Sequence, residues 1–117
     1  MNIGPREYKQ ASLRIALAEG LPVEMRPMTR EIVGVQSKSP HNGHATALMH
    51  QTCAEADKWW MTLILHVKPF SDGLTQEQLE KFYSRFGFVK IQDAADDGRP
   101  AVLMARSPQP PVITRIH

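Results

Sequence analysis

The fold is decided by residues 32–49, which read IVGVQSKSPHNGHATALM. The apolar run over 31–35 predicts a buried strand, and the polar stretch after it predicts a loop. Gly43 and Ala45 then open a helix. The first N–H groups of a helix have no acceptor within it, and the helix dipole adds partial positive charge there. Because small residues let a phosphate approach these groups, the junction predicts an anion-binding site.

The helix that follows covers 43–60 and leads almost directly into a strand over 61–67. Apolar side chains recur in the helix at three- and four-residue spacing, at Ala45, Leu48, Met49, Thr52, Cys53, Ala56 and Trp59. The strand reads MTLILHV, a continuous apolar run typical of a central strand covered on both faces.

A second helix is predicted from the capping-box pattern that runs from Thr75 to Gln78. It carries Leu79, Phe82, Tyr83 and Phe86 inward and ends at Gly87. Strands over 88–92 and 101–106, separated by a polar turn, predict an antiparallel hairpin. Residues 107–117 form a proline-rich tail, in which 112–117 is a short edge strand or a loose end.

The segment before residue 31 is harder to interpret. Pro5 suits a first helical turn and Gly20 a helix stop, so residues 5–20 are predicted as a helix. Residues 21–28 contain two prolines and predict an edge strand or an extended arm. Together these elements indicate an α/β (α+β) fold with a mixed sheet, helices on both faces and one domain over 1–117.

Composition narrows the kind of protein. The net charge of +2 without a Lys/Arg block gives no indication of nucleic acid, and no apolar run is long enough for a membrane span. With one cysteine, Cys53, and no signal peptide in the N-terminal residues, we expect a cytoplasmic protein. His41, His44 and Cys53 lie along one loop and helix without a second cluster, so no metal site is predicted.

Three parts of the sequence resemble the GNAT acetyltransferase superfamily. Residues 40–45 (PHNGHA) are similar to its Gln/Arg-x-x-Gly-x-Gly/Ala signature, although Pro40 departs from it. Residues 79–88 (LEKFYSRFGF) and 100–106 (PAVLMAR) resemble its later helix and terminal strand. The sequence of these stretches also resembles small acetyltransferase-like proteins encoded by phages and prophages. Relative to this family, the N-terminal part over 1–30 is abbreviated and the core covers 31–106.

The resemblance implies acyl transfer from acetyl-CoA to an amine of a small molecule or protein. It implies that the backbone at Val35 and Ser37 holds the pantetheine arm, and that Tyr83 protonates the leaving thiolate. The phosphates would lie against the loop and the helix start, at Lys38, His41, Asn42, Gly43, His44, Ala45 and Thr46. The alternative for Tyr83 is that its ring only packs beside the neighbouring phenylalanines.

Two candidates remain for the base that takes the proton of the amine. Glu31 shares strand parity with Val35, which predicts that both face one way. His66 lies near the carboxyl end of the next strand, where open α/β sheets place their sites. For either residue, a structural role is the alternative.

Two functions therefore stay open. One is a GNAT-type N-acetyltransferase, and the other is an inactive binding module of the same fold that acts through protein–protein contacts. Because the N-terminal part is short, Met25 and Met28 are expected near a sheet edge, which allows a homodimer.

Overall fold

A six-stranded mixed sheet with helices forms the protein. The computed structural model describes residues 1–18, 21–37, 43–68, 74–93 and 102–110. In chain order, its elements are β1 (Gly4–Tyr8), β2 (Ala11–Leu17), a 3₁₀ helix (Val23–Met28), β3 (Thr29–Ser37), α1 (His44–Lys58), β4 (Thr62–Val67), α2 (Gln76–Ser84), β5 (Val89–Gln92) and β6 (Val102–Arg106). The strand order is β1-β2-β3-β4-β6-β5, and the β3–β4 pair is parallel. The predicted fold class is thereby confirmed.

The predicted N-terminal helix is wrong, because this segment forms the antiparallel hairpin β1–β2. In β2, Ala11, Leu13 and Ile15 are buried while the residues between them are not, which is the period of a strand rather than of a helix. Pro5 lies in β1 at the edge of the sheet, where a missing backbone N–H is tolerated.

The segment over 21–28 is also neither a strand nor an arm. Val23–Met28 forms the 3₁₀ helix, with Pro27 inside it. The hydroxyl of Thr29 donates to the carbonyl of Met25 at 2.9 Å and joins the end of this helix to the start of β3.

The later elements confirm the sequence predictions. Helix α2 begins with both capping-box hydrogen bonds between Thr75 and Gln78, at 3.2 and 2.9 Å. Strands β5 and β6 pair antiparallel. The prediction for 112–117 lies outside the described residues. In α1 the apolar stripe is buried from Leu48 to Ala56, but Trp59 lies past the helix end and is exposed, so its predicted place in the core is wrong.

Arg106 joins both α-helices to the sheet. Its guanidinium binds both carboxylate oxygens of Asp57 in α1, at 2.7 and 3.0 Å, and its Nε donates to the carbonyl of Phe86, just after α2, at 2.6 Å. Because one side chain of β6 reaches both helices, α1 and α2 lie on the same face of the sheet. On the same face, at the edge of the sheet formed by β1, Arg6 pairs with Glu55 of α1.

The 3₁₀ helix lies at the end of the sheet, directly before β3. Arg30 lies opposite Leu63, which itself lies opposite Arg106, so Arg30 belongs to the face of the α-helices, and it donates to the carbonyl of Arg26 in the 3₁₀ helix. Thr29, its neighbour, lies on the other face and bonds to Met25 of the same helix. In the described residues, both α-helices therefore lie on one face, and the 3₁₀ helix bonds to residues of both faces at the sheet end. No helix in this part of the chain is long and apolar enough to span a membrane.

Candidate active site

The centre of the sheet contains a gap between two parallel strands. Strands β3 and β4 pair only at their first residues, from Thr29 opposite Thr62 to Glu31 opposite Ile64. Beyond that point β3 continues to pair with β2 up to Ser37, and β4 continues with β6. The two strands therefore part, and the gap opens toward their carboxyl ends, where ligands bind in open α/β sheets.

A β-bulge at Gly34 accounts for the parting. Between the pairs Ser12–Gln36 and Arg14–Val33, β3 uses one residue more than β2. Gly34 has φ = +66°, and a Cβ placed on it would meet nothing within 4 Å. Glycine is thus required for its backbone conformation rather than for space, and the extra residue bends the strand. This bulge was not predicted, although a lone glycine inside a strand pattern is a signal for one.

The bulge also corrects the predicted relation of Glu31 to Val35. Ile32 before the bulge and Ser37 after it both lie opposite β2 residues that share one face. Val35, two residues before Ser37, therefore points to the face of the α-helices, and Glu31 points to the other. The prediction of a common face is wrong, because an extra residue reverses the alternation of side chains.

A cleft of about 1010 Å³ occupies the gap and extends to the start of α1. It is lined by six residues of the predicted site, namely Val35, Ser37, Ala45, Thr46, His66 and Tyr83. Its size matches the upper range of ligand pockets. Lys38, His41 and Asn42, also predicted for this site, lie outside the described residues, as does Pro40.

Helix α1 begins at the cleft. Gly43 is its N-cap residue with φ = +72°, and among the described residues no side chain caps the helix and no acidic residue lies in its first turn. The His44 ring instead packs edge-on against Tyr8, with 6.2 Å between centroids, and its buried Nδ1 has no hydrogen-bond partner. The imidazole of His44 therefore packs on β1, whereas Ala45 and Thr46 of the first turn line the cleft.

Tyr83 forms the wall of the cleft on the α2 side. Its ring packs edge-on against Phe82 and Phe88 and is 8% exposed. No residue in the described part of the chain hydrogen-bonds its hydroxyl. Burial raises the pKa of Tyr83 to about 12, so the phenol keeps its proton at neutral pH and is a donor.

Glu31 and His66, which the sequence analysis treated as rival bases, lie together. The His66 Nδ1 is 3.7 Å from a carboxylate oxygen of Glu31, and about half of the His66 side chain is exposed. Both residues lie on the face opposite the α-helices, since Glu31 pairs with Ile64 and His66 is two residues further along β4.

Two cations at the cleft were not predicted. Lys68 follows β4 and Arg85 follows α2, and both line the cleft. The Arg85 guanidinium also lies 5.2 Å from the centre of the Phe82 ring. Their signal in the sequence is weak, because their positions converge only when β4 and α2 are placed side by side. In the described residues, no group of three His, Cys, Asp or Glu is placed to hold a metal ion.

Solved structures share this mixed sheet, and one of them is a GNAT-family protein from Desulfovibrio desulfuricans, 11% identical, with a TM-score of 0.61 over 86% of this chain and 62% of that one. The anti-CRISPR protein AcrVA5 is 21% identical, with a TM-score of 0.68 over 92% of this chain and 100% of that one. An acyl-CoA N-acyltransferase from Pseudomonas aeruginosa is 24% identical, with a TM-score of 0.57 over 84% of this chain and 60% of that one. The ribosomal-protein-S18-alanine N-acetyltransferase from Escherichia coli is 16% identical, with a TM-score of 0.57 over 92% and 66%.

These similarities establish the fold. This chain spans about three fifths to two thirds of the length of the two N-acyltransferases. No protein-family model and no curated protein sequence matches it.

Proposed function

We propose that this protein is an N-acyltransferase that moves an acetyl group from acetyl-CoA to an amine. The parting of β3 and β4 beside the start of α1 is the observation that carries the proposal. A pantetheine arm is narrow and carries two amides. In the described residues, the edge of β3 over 32–36 that faces the gap is not paired with β4, so its backbone N–H and C=O groups lie where the amides of the arm would reach them. The arm would occupy the place of a missing strand, along Val35 and Ser37.

The phosphates of the cofactor would then reach the helix start. Backbone N–H groups of the first turn, at His44, Ala45 and Thr46, provide donors, and Gly43 leaves space above them. The loop residues Lys38, His41 and Asn42 complete the proposed site. Lys68 and Arg85 add positive charge at the opposite wall.

Tyr83 would act on the departing sulfur. Attack of a neutral amine on the thioester carbonyl releases a thiolate, which a fixed donor stabilises. A pKa of about 12 exceeds that of an ordinary thiol, about 8.5. Complete proton transfer from the phenol is then uphill by about 5 kcal/mol. Tyr83 would therefore act as a hydrogen-bond donor to the thiolate and keep its own proton. The proton that the amine loses would finally protonate the sulfur.

Glu31 and His66 are proposed as a pair that accepts the proton of the amine. They lie at the edge of the gap, on the face opposite the α-helices. His66 lines the cleft and is the closer group to the reacting centre, whereas Glu31 does not line it. In this arrangement Glu31 orients the imidazole of His66.

Calorimetric titration with coenzyme A tests the proposal. We expect a dissociation constant between roughly 1 µM and 1 mM, the usual range for enzyme substrates. Gly43→Glu should abolish binding, because it places a carboxylate against the phosphates. Gly4→Glu is the matched control, since Gly4 also has positive φ and open space around it but lies in β1. Absence of binding by the wild type at millimolar coenzyme A would refute the proposal.

The second candidate is a binding module that has lost the chemistry. Pro40, which stands where the GNAT signature has Gln or Arg, favours it. Release of coenzyme A thiol from acetyl-CoA, measured across a panel of amines and peptides, separates the two. Turnover that falls in His66→Ala and in Tyr83→Phe would support the enzyme.

A further inference from the structure

Exposed apolar side chains gather at the end of the sheet opposite the cleft. Seven residues, each 47 to 68% exposed, form what we call the base patch: Ile3, Leu17, Val23, Met25, Met28, Trp59 and Trp60. Three more large apolar side chains in the described residues are exposed elsewhere. Single exposed apolar residues are common, but a group of seven at one end of a small protein marks an interaction surface.

The sheet register explains why these residues meet. β3 and β4 start side by side, with Thr29 opposite Thr62. The 3₁₀ helix with its two exposed methionines ends just before β3, and the two tryptophans lie just before β4. β2 ends and β1 starts at the same end of the sheet, as the pairs Leu17–Arg30 and Gly4–Ile15 show.

Trp60 is the most informative residue of the patch. It has φ = +57°, and the N–H of Met61 bonds to the carbonyl of Ala56 at 2.7 Å. This is a Schellman ending of α1, in which Trp60 holds the position that glycine normally fills. A bulky side chain disfavours that conformation, and this one is also half exposed. The indole of Trp60 therefore contributes little to the stability of a single copy. This indicates that its role is to contact a partner.

We propose that two copies of this chain associate through the base patch about a two-fold axis. The patch carries rigid anchors, Trp59 and Trp60, beside the flexible side chains of Met25 and Met28. Around a two-fold axis, the tryptophans of each copy pack on the methionines of the other. Tryptophan and methionine are enriched at protein interfaces, and methionine adapts to the shape that it meets.

The area and the charge of the patch fit a second copy. If each of the seven side chains exposes about 100 Å², half of what an aromatic side chain buries, the patch covers about 700 Å². Two copies would bury about 1,400 Å², within the range of about 1,200–2,000 Å² for stable interfaces. Glu24 and Lys58 lie at its border with opposite charges, so the two-fold arrangement can place them against each other. The net charge of +2 per copy adds little repulsion.

Sedimentation velocity between about 1 and 500 µM tests the proposal. We expect the wild type to move from 13.2 kDa to twice that mass, with a dissociation constant on the order of 10 µM. Trp60→Gly should weaken association at least tenfold. In dilute solution its Tm should be at least that of the wild type and up to about 4 °C higher, because glycine fits the helix end.

Ile91→Ser is the matched control. Ile91 is 57% exposed in the edge strand β5, between residues that pair with Met104 and Leu103 toward the cleft end of β6, and this variant should associate as the wild type does. A wild type that stays monomeric at 500 µM would overturn the proposal, even if its patch bound vesicles or another protein. So would a folded Trp60→Gly variant that associates normally. Because the patch and the cleft lie at opposite ends of the sheet, coenzyme A should bind equally well to the wild type and to both variants. Loss of coenzyme A binding would count against the proposed function and not against the dimer.

Discussion

Replacing Arg106 with Met should destabilise the protein by about 3 kcal/mol. The guanidinium side chain is 7% exposed and Asp57 is 26% exposed, so the pair lies between a buried and a surface ion pair. Removing one partner of a buried pair costs about 3–5 kcal/mol, whereas exposed pairs contribute about 0–1 kcal/mol. Partial solvation of Asp57 lowers the estimate, and the lost bond to the Phe86 carbonyl raises it by about 1 kcal/mol.

Urea unfolding followed by far-UV circular dichroism measures the change. A loss of about 3 kcal/mol is a large part of the ~5–15 kcal/mol that stabilises a domain and should lower Tm by about 12 °C. Arg6→Met is the matched control. Arg6 also pairs with a carboxylate of α1, but it is 21% exposed, so about 1 kcal/mol is expected. A cost for Arg106→Met no greater than that for Arg6→Met would refute the reasoning.

The same pair predicts an acid dependence. Burial alone would raise the pKa of Asp57, but the hydrogen bonds from Arg106 and from the N–H of Gln109, together with the charge of Arg106, lower it below its ordinary value. A lowered folded pKa stabilises the protein above the unfolded pKa, near 4, and this stability is lost as pH falls through the folded value. Below about pH 4, the stability difference between wild type and Asp57→Asn should therefore shrink; a difference that stays constant would contradict this account.

Three further predictions concern the cleft and the core. Tyr83→Phe should lower turnover about 100-fold and leave coenzyme A affinity within about twofold, because it removes one donor from the transition state; equal turnover would exclude the proposed role. Gly34→Ala should cost about 1–2 kcal/mol in urea unfolding, since φ is +66° and no atom would clash, and Gly34→Asn should cost less. Burial raises the pKa of Cys53 to about 11 from 9.0, so its alkylation by iodoacetamide at pH 8 should be about 100-fold slower in the folded than in the urea-unfolded protein; comparable rates would show that the thiol is accessible.

Local interactions explain what could be predicted from the sequence. Thr75 and Gln78 bond to each other across three residues, so the capping box identifies the start of α2 without tertiary information. The buried stripe from Leu48 to Ala56 follows from helical period alone. The prediction of a helix over 5–20 was wrong because this segment forms two strands with different neighbours. β1 lies at the sheet edge and pairs only with β2, whereas β2 also pairs with β3. Only pairing with β3 makes the alternation of β2 favourable.

The candidate site divides in the same way. Gly43 and the start of α1 were predicted because a helix N-terminus leaves its donors free wherever the helix lies. The contact between Glu31 and His66 was not, since their strands are parallel neighbours separated by a helix, and their roles in catalysis stay predictions. Nor could the sequence show that Glu31 and Val35 face opposite ways, because that depends on the register across the bulge.

The sequence by itself determined where α1 and α2 start, and that the segments around β3, β4, β5 and β6 form strands. These features depend on residues within one turn or one strand. The tertiary structure alone decided that β3 and β4 part, that the α-helices share one face, and that the two tryptophans and two exposed methionines lie at the same end of the sheet. Each of these depends on contacts between residues far apart in the chain, and such contacts form only when the whole sheet assembles.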